Sequence, residues 1–246
     1  MIKKILTLAM AIMLIVSTSV FAIDLQAGIE TELVLDKGIN LKNSGVKAAY
    51  SAQYYNATLD INLGDWLTVT PKGGINHFAF RDIDTMIGEI ELNGGIGWNL
   101  GIDAKADVYT LMLNEDTTIV DFSLIGSYRF SRTDIDEVDL AGLVIDNPIE
   151  SIAYIHEWEV GAIVSRNLKD ITGISITPYM GMVYSDMVGK IDTNLSIINL
   201  DEDIEARRNF GLRCGLSAEP IDDLLIAVDA KFVDETAVII SASYKF

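Results

Sequence analysis

Positive charge, cysteine, histidine and long apolar runs are all scarce in this chain, and each shortage narrows what it can be. Eighteen Lys and Arg face 36 Asp and Glu, a formal net charge of −18. That balance disfavours nucleic acid as a partner, because a phosphate backbone calls for a basic footprint. The single cysteine, Cys214, cannot form an internal disulfide, so no covalent staple holds the fold. Two histidines, His77 and His156, leave few candidates for general-base catalysis. Beyond residue 22 there is no apolar stretch of the roughly 18 residues that a membrane helix needs. Yet 50% of the residues are hydrophobic and the mean hydropathy is +0.30. Hydrophobicity that is plentiful but never continuous must be spread over alternating positions.

The exception is the N-terminus. Met1-Ile-Lys-Lys4, an apolar run from Ile5 to about Val20, and the ending Val20-Phe21-Ala22 have the three parts of a secretory signal peptide, expected to span residues 1–22. The alternative, an uncleaved anchor, is disfavoured by the small Ala22 and by Asp24 close behind it. No Cys follows the run, so lipid attachment there is not expected. Loss of Lys3 and Lys4 would take the net charge from −18 to −20. Residues 23–246 show no linker, low-complexity tract or composition shift, and read as one domain.

Along that domain apolar and polar residues alternate with the period of a strand. Leu25, Ala27, Ile29, Thr31, Leu33 and Leu35 alternate with Asp24, Gln26, Gly28, Glu30 and Glu32, and Lys37 to Gly45 then reads as a loop. In Val46 to Leu63 the apolar side changes from even to odd positions, which predicts a bulge near Tyr54-Tyr55. Gly64-Asp-Trp66 is a turn, and Pro71 and its echo Pro178 are expected near strand ends or breaks. An alternating series from Met86 to Met112 is longer than a bilayer requires, so a turn near Asn93-Gly-Gly95 or Asn99-Leu-Gly101 competes with one projecting strand. One strand over about Ile96 to Met112 is favoured because it keeps the count even. Further strands follow over Thr118 to Arg132, Ile152 to Asn167, Ile174 to Tyr184, Asn209 to Ala218 and Leu224 to Phe232. Acidic stretches at 133–150 and 190–205 read as long loops at one end, and compact turns near 64, 115, 170 and 221 mark the other.

The last strand places Val238, Ile240, Ala242, Tyr244 and Phe246 on one face and Ile239, Ser241, Ser243 and Lys245 on the other. A final Phe, an aromatic two residues before it and alternating apolar residues further back resemble the C-terminal signature of bacterial outer-membrane β-barrel proteins. That resemblance implies recognition by the barrel-assembly machinery through Tyr244 and Phe246, closure by the last strand, and residence in the outer membrane of a Gram-negative cell, in contact with lipid bilayer and lipopolysaccharide. The expected fold is therefore all-β: a single antiparallel transmembrane barrel of about ten strands, with eight or twelve as alternatives, and a monomer. A soluble secreted β-sandwich is the third reading.

The alternation assigns a charged lumen lining: Glu30, Glu32, Asp103, Asp107, Asp121, Glu157, Glu159 and Asp229 against Lys72, Lys105, Arg129, Arg213 and Lys231. A net acidic lining favours a narrow porin-like channel for small hydrophilic solutes or ions. Paired charges that fill the interior would instead make a non-conducting structural or adhesion barrel using its acidic outer loops. No enzymatic activity and no cofactor are expected. His156 and its neighbour Glu157 point to opposite faces and cannot converge. The His-x-Ser pattern of outer-membrane phospholipases is also missing, since Ala79 and Trp158 follow the two histidines, and residues 75, 79, 154 and 158 supply no aspartate for the Asp-His couple of omptins. The acidic runs Asp134 to Asp139 and Asp201 to Glu205 could bind divalent cations through carboxylates, but lack the Gly turn and spacing of a defined calcium loop; a solvated acidic rim is the favoured reading.

Overall fold

The computed structural model describes residues 23–246 other than 86–87, 115–116, 141, 147–150 and 195–198. The expected signal peptide, the turn at 115–116 and parts of both acidic stretches lie outside the described residues. Among the described residues, 13 strands form one antiparallel sheet: β1 (Ile23–Leu41), β2 (Val46–Leu63), β3 (Leu67–Thr85), β4 (Gly88–Gly94), β5 (Gly97–Asn114), β6 (Thr117–Leu140), β7 (Leu143–Asp146), β8 (Ile152–Ser165), β9 (Ser175–Asn194), β10 (Asn199–Ala206), β11 (Phe210–Ile221), β12 (Leu224–Phe232) and β13 (Glu235–Lys245). One helical turn, α1 (Lys169–Thr172), joins β8 to β9.

The sheet closes into a barrel of ten strands, in the order β1, β2, β3, β5, β6, β8, β9, β11, β12, β13 and back to β1. Closure by the last strand is as the C-terminal pattern implies: β13 lies against β1 from Gln26↔Lys245 to Lys37↔Glu235. The tight connections at 64–66 and 222–223, with both ends of the described chain, define the lower end. At the upper end β4, β7 and β10 continue the lines of β5, β8 and β11 along β6 and β9.

Above the short β12–β13 hairpin the wall closes differently. There β10 pairs directly with β1, from Ile39↔Ala206 to Leu41↔Ile204. The upper ring therefore holds eight strands (β1, β2, β3, β4, β6, β8, β9 and β10), a size whose interior side chains can just fill. They fill it with a hydrophobic core that includes Ile39, Leu41, Tyr50, Phe78, Phe80, Ile83, Leu92, Ile155, Met187 and Ile191. The barrel is thus two-storeyed, dry and apolar inside above, polar inside below.

This explains the change of apolar side in β2, where the expected bulge does not exist. The register of β2 with β3 runs unbroken past residues 54 and 55, with Tyr54↔Asn76 and Tyr55↔Ile75. Even positions face inward throughout. Val46 to Tyr54 meet the upper core, whereas Asn56, Thr58 and Asp60 meet the polar lower interior. The outer face changes in the opposite sense, from Lys47, Ser51 and Gln53 to Tyr55, Leu59 and Ile61. The irregularity sits instead in β1, between Val34 and Lys37.

Two further expectations are corrected, and a third holds with one refinement. The stretch read as a loop from Lys37 continues as strand to Leu41, because Lys37, Ile39 and Leu41 all face a buried interior. The acidic stretches at 133–150 and 190–205 are largely the hairpin arms of β6, β7, β9 and β10, their inward positions (Ile135, Val138, Ile191, Ile204) feeding the upper core. The favoured strand over Ile96 to Met112 is β5, and the rest of the long series is β4, in which the chain keeps its direction, stepping over one extra residue between Asn93 and Gly97 while β3 advances from Ala79 to Asn76. Gly97 permits that step: a Cβ there would lie 1.9 Å from Thr133 Oγ1 and 2.2 Å from Asn76 Oδ1, two atoms joined by a 2.8 Å hydrogen bond. Pro71 and Pro178 fall within the first five residues of β3 and β9, as expected of residues that cannot donate to a ladder.

Candidate functional site: a buried charged layer

Immediately beneath the apolar core, inward positions of strands all round the barrel bring charged side chains together. Arg129 on β6 is the centre. Its Nε and Nη2 donate to Glu157 Oε2 on β8 at 2.9 and 2.6 Å, and its Nη1 donates to Glu32 on β1. The guanidinium carbon lies 3.6 Å from the centre of the Tyr54 ring, so a cation–π contact faces the apolar storey. Tyr54 in turn hydrogen bonds Tyr50 through the two hydroxyls, 2.5 Å apart, and donates to Glu157 Oε2 at 3.3 Å. These two phenols are fully buried and form the join between the storeys.

The layer extends from this centre in both directions. Lys231 on β12 lies 3.1 Å from Glu159, 3.1 Å from Glu235 and 3.6 Å from Glu32. Lys37 lies 2.9 Å from Glu235, directly opposite it across the β1–β13 junction, and 3.6 Å from Glu157. Arg213 joins Asp229 at 2.8 Å to Glu159 at 3.2 Å, and Lys72 joins Glu30 at 3.0 Å to Asp103 at 2.8 Å. Seven carboxylates and five cations are interleaved so that each cation touches at least two acids. Burying an ion is costly unless several opposite charges and hydrogen bonds surround it, and this lattice supplies both. The space left within it is about 50 Å³.

Ten of the thirteen residues assigned to the lining from sequence meet in this layer: Glu30, Glu32, Lys72, Asp103, Arg129, Glu157, Glu159, Arg213, Asp229 and Lys231. The other three lie lower, at the mouth, where Lys105 pairs with Asp107 at 3.2 Å and Asp121 accepts from Thr110 at 2.7 Å. Lys37, which the sequence reading placed in a loop, and Glu235 are further members of the layer. The signal for Lys37 was its place two residues before Ile39 in an alternating run, offset by the irregularity at Leu35-Asp36. Below the layer a vestibule of about 270 Å³, with walls that include Thr68, Thr70, Lys105, Ser165, Tyr179 and Ser217, adjoins the lower end.

The outer surface of the lower storey is a continuous apolar belt. Ile29, Leu59, Leu100, Ile102, Leu124, Val160, Met182, Leu212, Val228 and Ile240 all stand exposed on it. Aromatic rings border it above, with Trp98 and Phe130 centred 5.3 Å apart, Phe130 and His156 4.8 Å, Trp158 and Tyr184 5.3 Å, and Tyr184 and Phe210 5.0 Å. Below, Tyr109 packs with Phe122 and Tyr244 with Phe246. Along β6 the borders at Phe122 and Phe130 are eight residues apart, roughly 26 Å of strand. Both histidines lie on the outer face: His77 is exposed, and His156 Nδ1 lies 2.7 Å from the Tyr128 hydroxyl. Among the described residues no group of three or more His, Cys, Asp or Glu is arranged to hold a metal ion.

No family model and no curated protein matches the chain. Solved barrels of similar extent include the translocator domain of the autotransporter NalP from Neisseria meningitidis (12% identity, 91% of this chain and 88% of that chain covered, TM-score 0.48). The outer membrane protease OmpT from Escherichia coli aligns at 11% identity over 94% of this chain and 100% of that one, with a TM-score of 0.42. Ail, the attachment invasion locus protein of Yersinia pestis, aligns at 10% identity over 91% and 97%, with a TM-score of 0.34. Independently of these likenesses, ten closed antiparallel strands, an apolar belt between aromatic borders and a polar interior give this chain the architecture of a bacterial outer-membrane β-barrel.

Proposed function

We propose that this protein is a non-conducting barrel of the outer membrane, its lower storey in the bilayer and its upper storey standing on the cell surface as a rigid scaffold for contacts outside. The observation that carries this is the pair of seals across the interior. An aqueous path would have to pass a layer of interlocked ions and then a core whose Ile39, Tyr50, Ile155, Met187 and Ile191 are fully buried. The narrow-channel reading has in its favour a net acidic layer and the vestibule beneath it, but would require both storeys to repack. The expected lower end, with its tight turns, faces the periplasm, and the hairpins face outward. Tyr244 and Phe246 lie outward at the lower border, consistent with a role in assembly-machinery recognition.

Planar-bilayer recording of the purified protein tests the proposal. No conductance steps are expected at moderate voltage, and regular steps of uniform size would refute it. Heat-modifiable gel mobility and extraction only by detergent are the expected signs of membrane residence; a protein soluble without detergent would refute that part.

A further inference from the structure

Where the apolar belt ends on β5, β6 and β8, one outward cation stands without a partner. Arg132 is exposed and follows Phe130 on the same face of β6. Among the described residues it makes no ion pair or side-chain hydrogen bond, although Asp134 is the next residue on that face. Its direct cross-strand neighbours are Trp98 on β5 and Tyr154 on β8. Diagonally below it on β8 is His156, opposite Phe130, with Nδ1 engaged by the Tyr128 hydroxyl at 2.7 Å and Nε2 as the remaining ring nitrogen.

A guanidinium, a phenol, an imidazole and an indole N–H thus share one patch of three adjacent strands. Directly opposite residues are about 5 Å apart and diagonal ones about 7–8 Å, within reach of side chains this long. An arginine at the edge of hydrocarbon is unfavourable without a counter-charge, and its planar donors match the oxygens of a phosphate. With a net charge of −18 the chain's general field is repulsive to anionic lipid. Any preference for anionic lipid at this spot must therefore be local.

We propose that Arg132, Tyr154 and His156, flanked by Trp98, seat the anionic phosphate head group of a membrane lipid. This rests on the membrane residence proposed above, and the experiment separates the two. The full chain carrying Trp66→Phe and Trp158→Phe, so that Trp98 is its sole tryptophan, is reconstituted in phosphatidylcholine vesicles. Quenching of Trp98 is then compared between brominated phosphatidylglycerol and brominated phosphatidylcholine. The expected result is an apparent affinity about fivefold higher for the anionic lipid, the scale of one juxtamembrane cation. Arg132→Gln, an exposed position, is expected to bring the ratio to about one with quenching by the zwitterionic lipid unchanged. Equal quenching by both lipids before that change would overturn the site and leave membrane residence standing. No quenching by either lipid would overturn residence and the site together. Loss of the preference in excess inorganic phosphate would overturn the assignment to a lipid.

Discussion

Removing Arg129 is the sharpest test of the charged layer. Arg129→Met keeps the bulk of the stem but leaves Glu32 and Glu157 short of their closest cation. Each retains one: Lys231 is 3.6 Å from Glu32, and Lys37 is 3.6 Å from Glu157. A charge pair at about 4 Å is worth roughly 4 kcal/mol at an effective dielectric of about 20. Two such pairs are lost, offset by the desolvation that the guanidinium no longer undergoes and by the cations that remain. The expected net loss is about 3–5 kcal/mol, the usual consequence of breaking a buried pair from one side. A triple variant, Arg129→Met with Glu32→Leu and Glu157→Leu, removes the whole triad. It orphans no cation, because Lys37 keeps Glu235 at 2.9 Å while Lys231 keeps Glu159 and Glu235 at 3.1 Å. The triple variant is expected to recover most of the loss. Urea unfolding in phospholipid vesicles, followed by tryptophan fluorescence, measures both. A single variant within about 1 kcal/mol of the natural protein, or a triple variant no better than the single, would show that the layer is not held by mutual charge neutralisation.

Other expectations follow from the same geometry. Phe78→Ala opens a cavity in the upper core and should lower stability by about 3–5 kcal/mol in the same urea assay, without producing conductance, since the ionic layer still closes the path. Gly97→Ala drives a methyl group into Thr133 and Asn76 where β4 steps into β5, and should destabilise by about 1–3 kcal/mol; an unchanged urea midpoint would refute the close approach. On the upper turn, the Lys42 ammonium is held above its ordinary pKa by its hydrogen bond to Glu205, then by that carboxylate's charge. Its folded-state pKa is raised, so the pairing is complete below the ordinary lysine value and fades as pH rises through the raised one. Nitrogen-15 NMR of Lys42 should show later titration than in Glu205→Gln, and identical curves would remove the link.

Much of the barrel was legible because each strand carries its environment in alternate residues. The face pairing Val238 with Phe246 and the lumen face of Glu157 and Glu159 needed nothing beyond parity. Parity also misled, once, at Tyr54-Tyr55. A strand that passes from a two-sided membrane environment into an upper storey with the opposite inside and outside swaps its apolar face without any backbone irregularity, and from sequence that swap is indistinguishable from a bulge. The acidic stretches misled for a related reason. Aspartates at outward positions dominate the composition of β6 and β10 near their tips, and hide the Ile135 and Ile204 that point into a core. Which lumen charges touch depends on the stagger between distant strands, as in Arg129 with Glu32, 97 positions earlier in the chain. One sequence contains no record of that stagger.

The direct junction of β10 with β1 limits how the wall can come apart. The seam between the first and last strands does not run the full height of the barrel: it stops at Lys37↔Glu235, and from Ile39 upward β1 is bound to an internal strand. A gap between β1 and β13 can open only from the lower end, as a slit with a closed top. Among the described residues that fill the upper core, only Ala237 comes from the final hairpin. The upper storey is therefore woven almost wholly from strands that precede the closing pair.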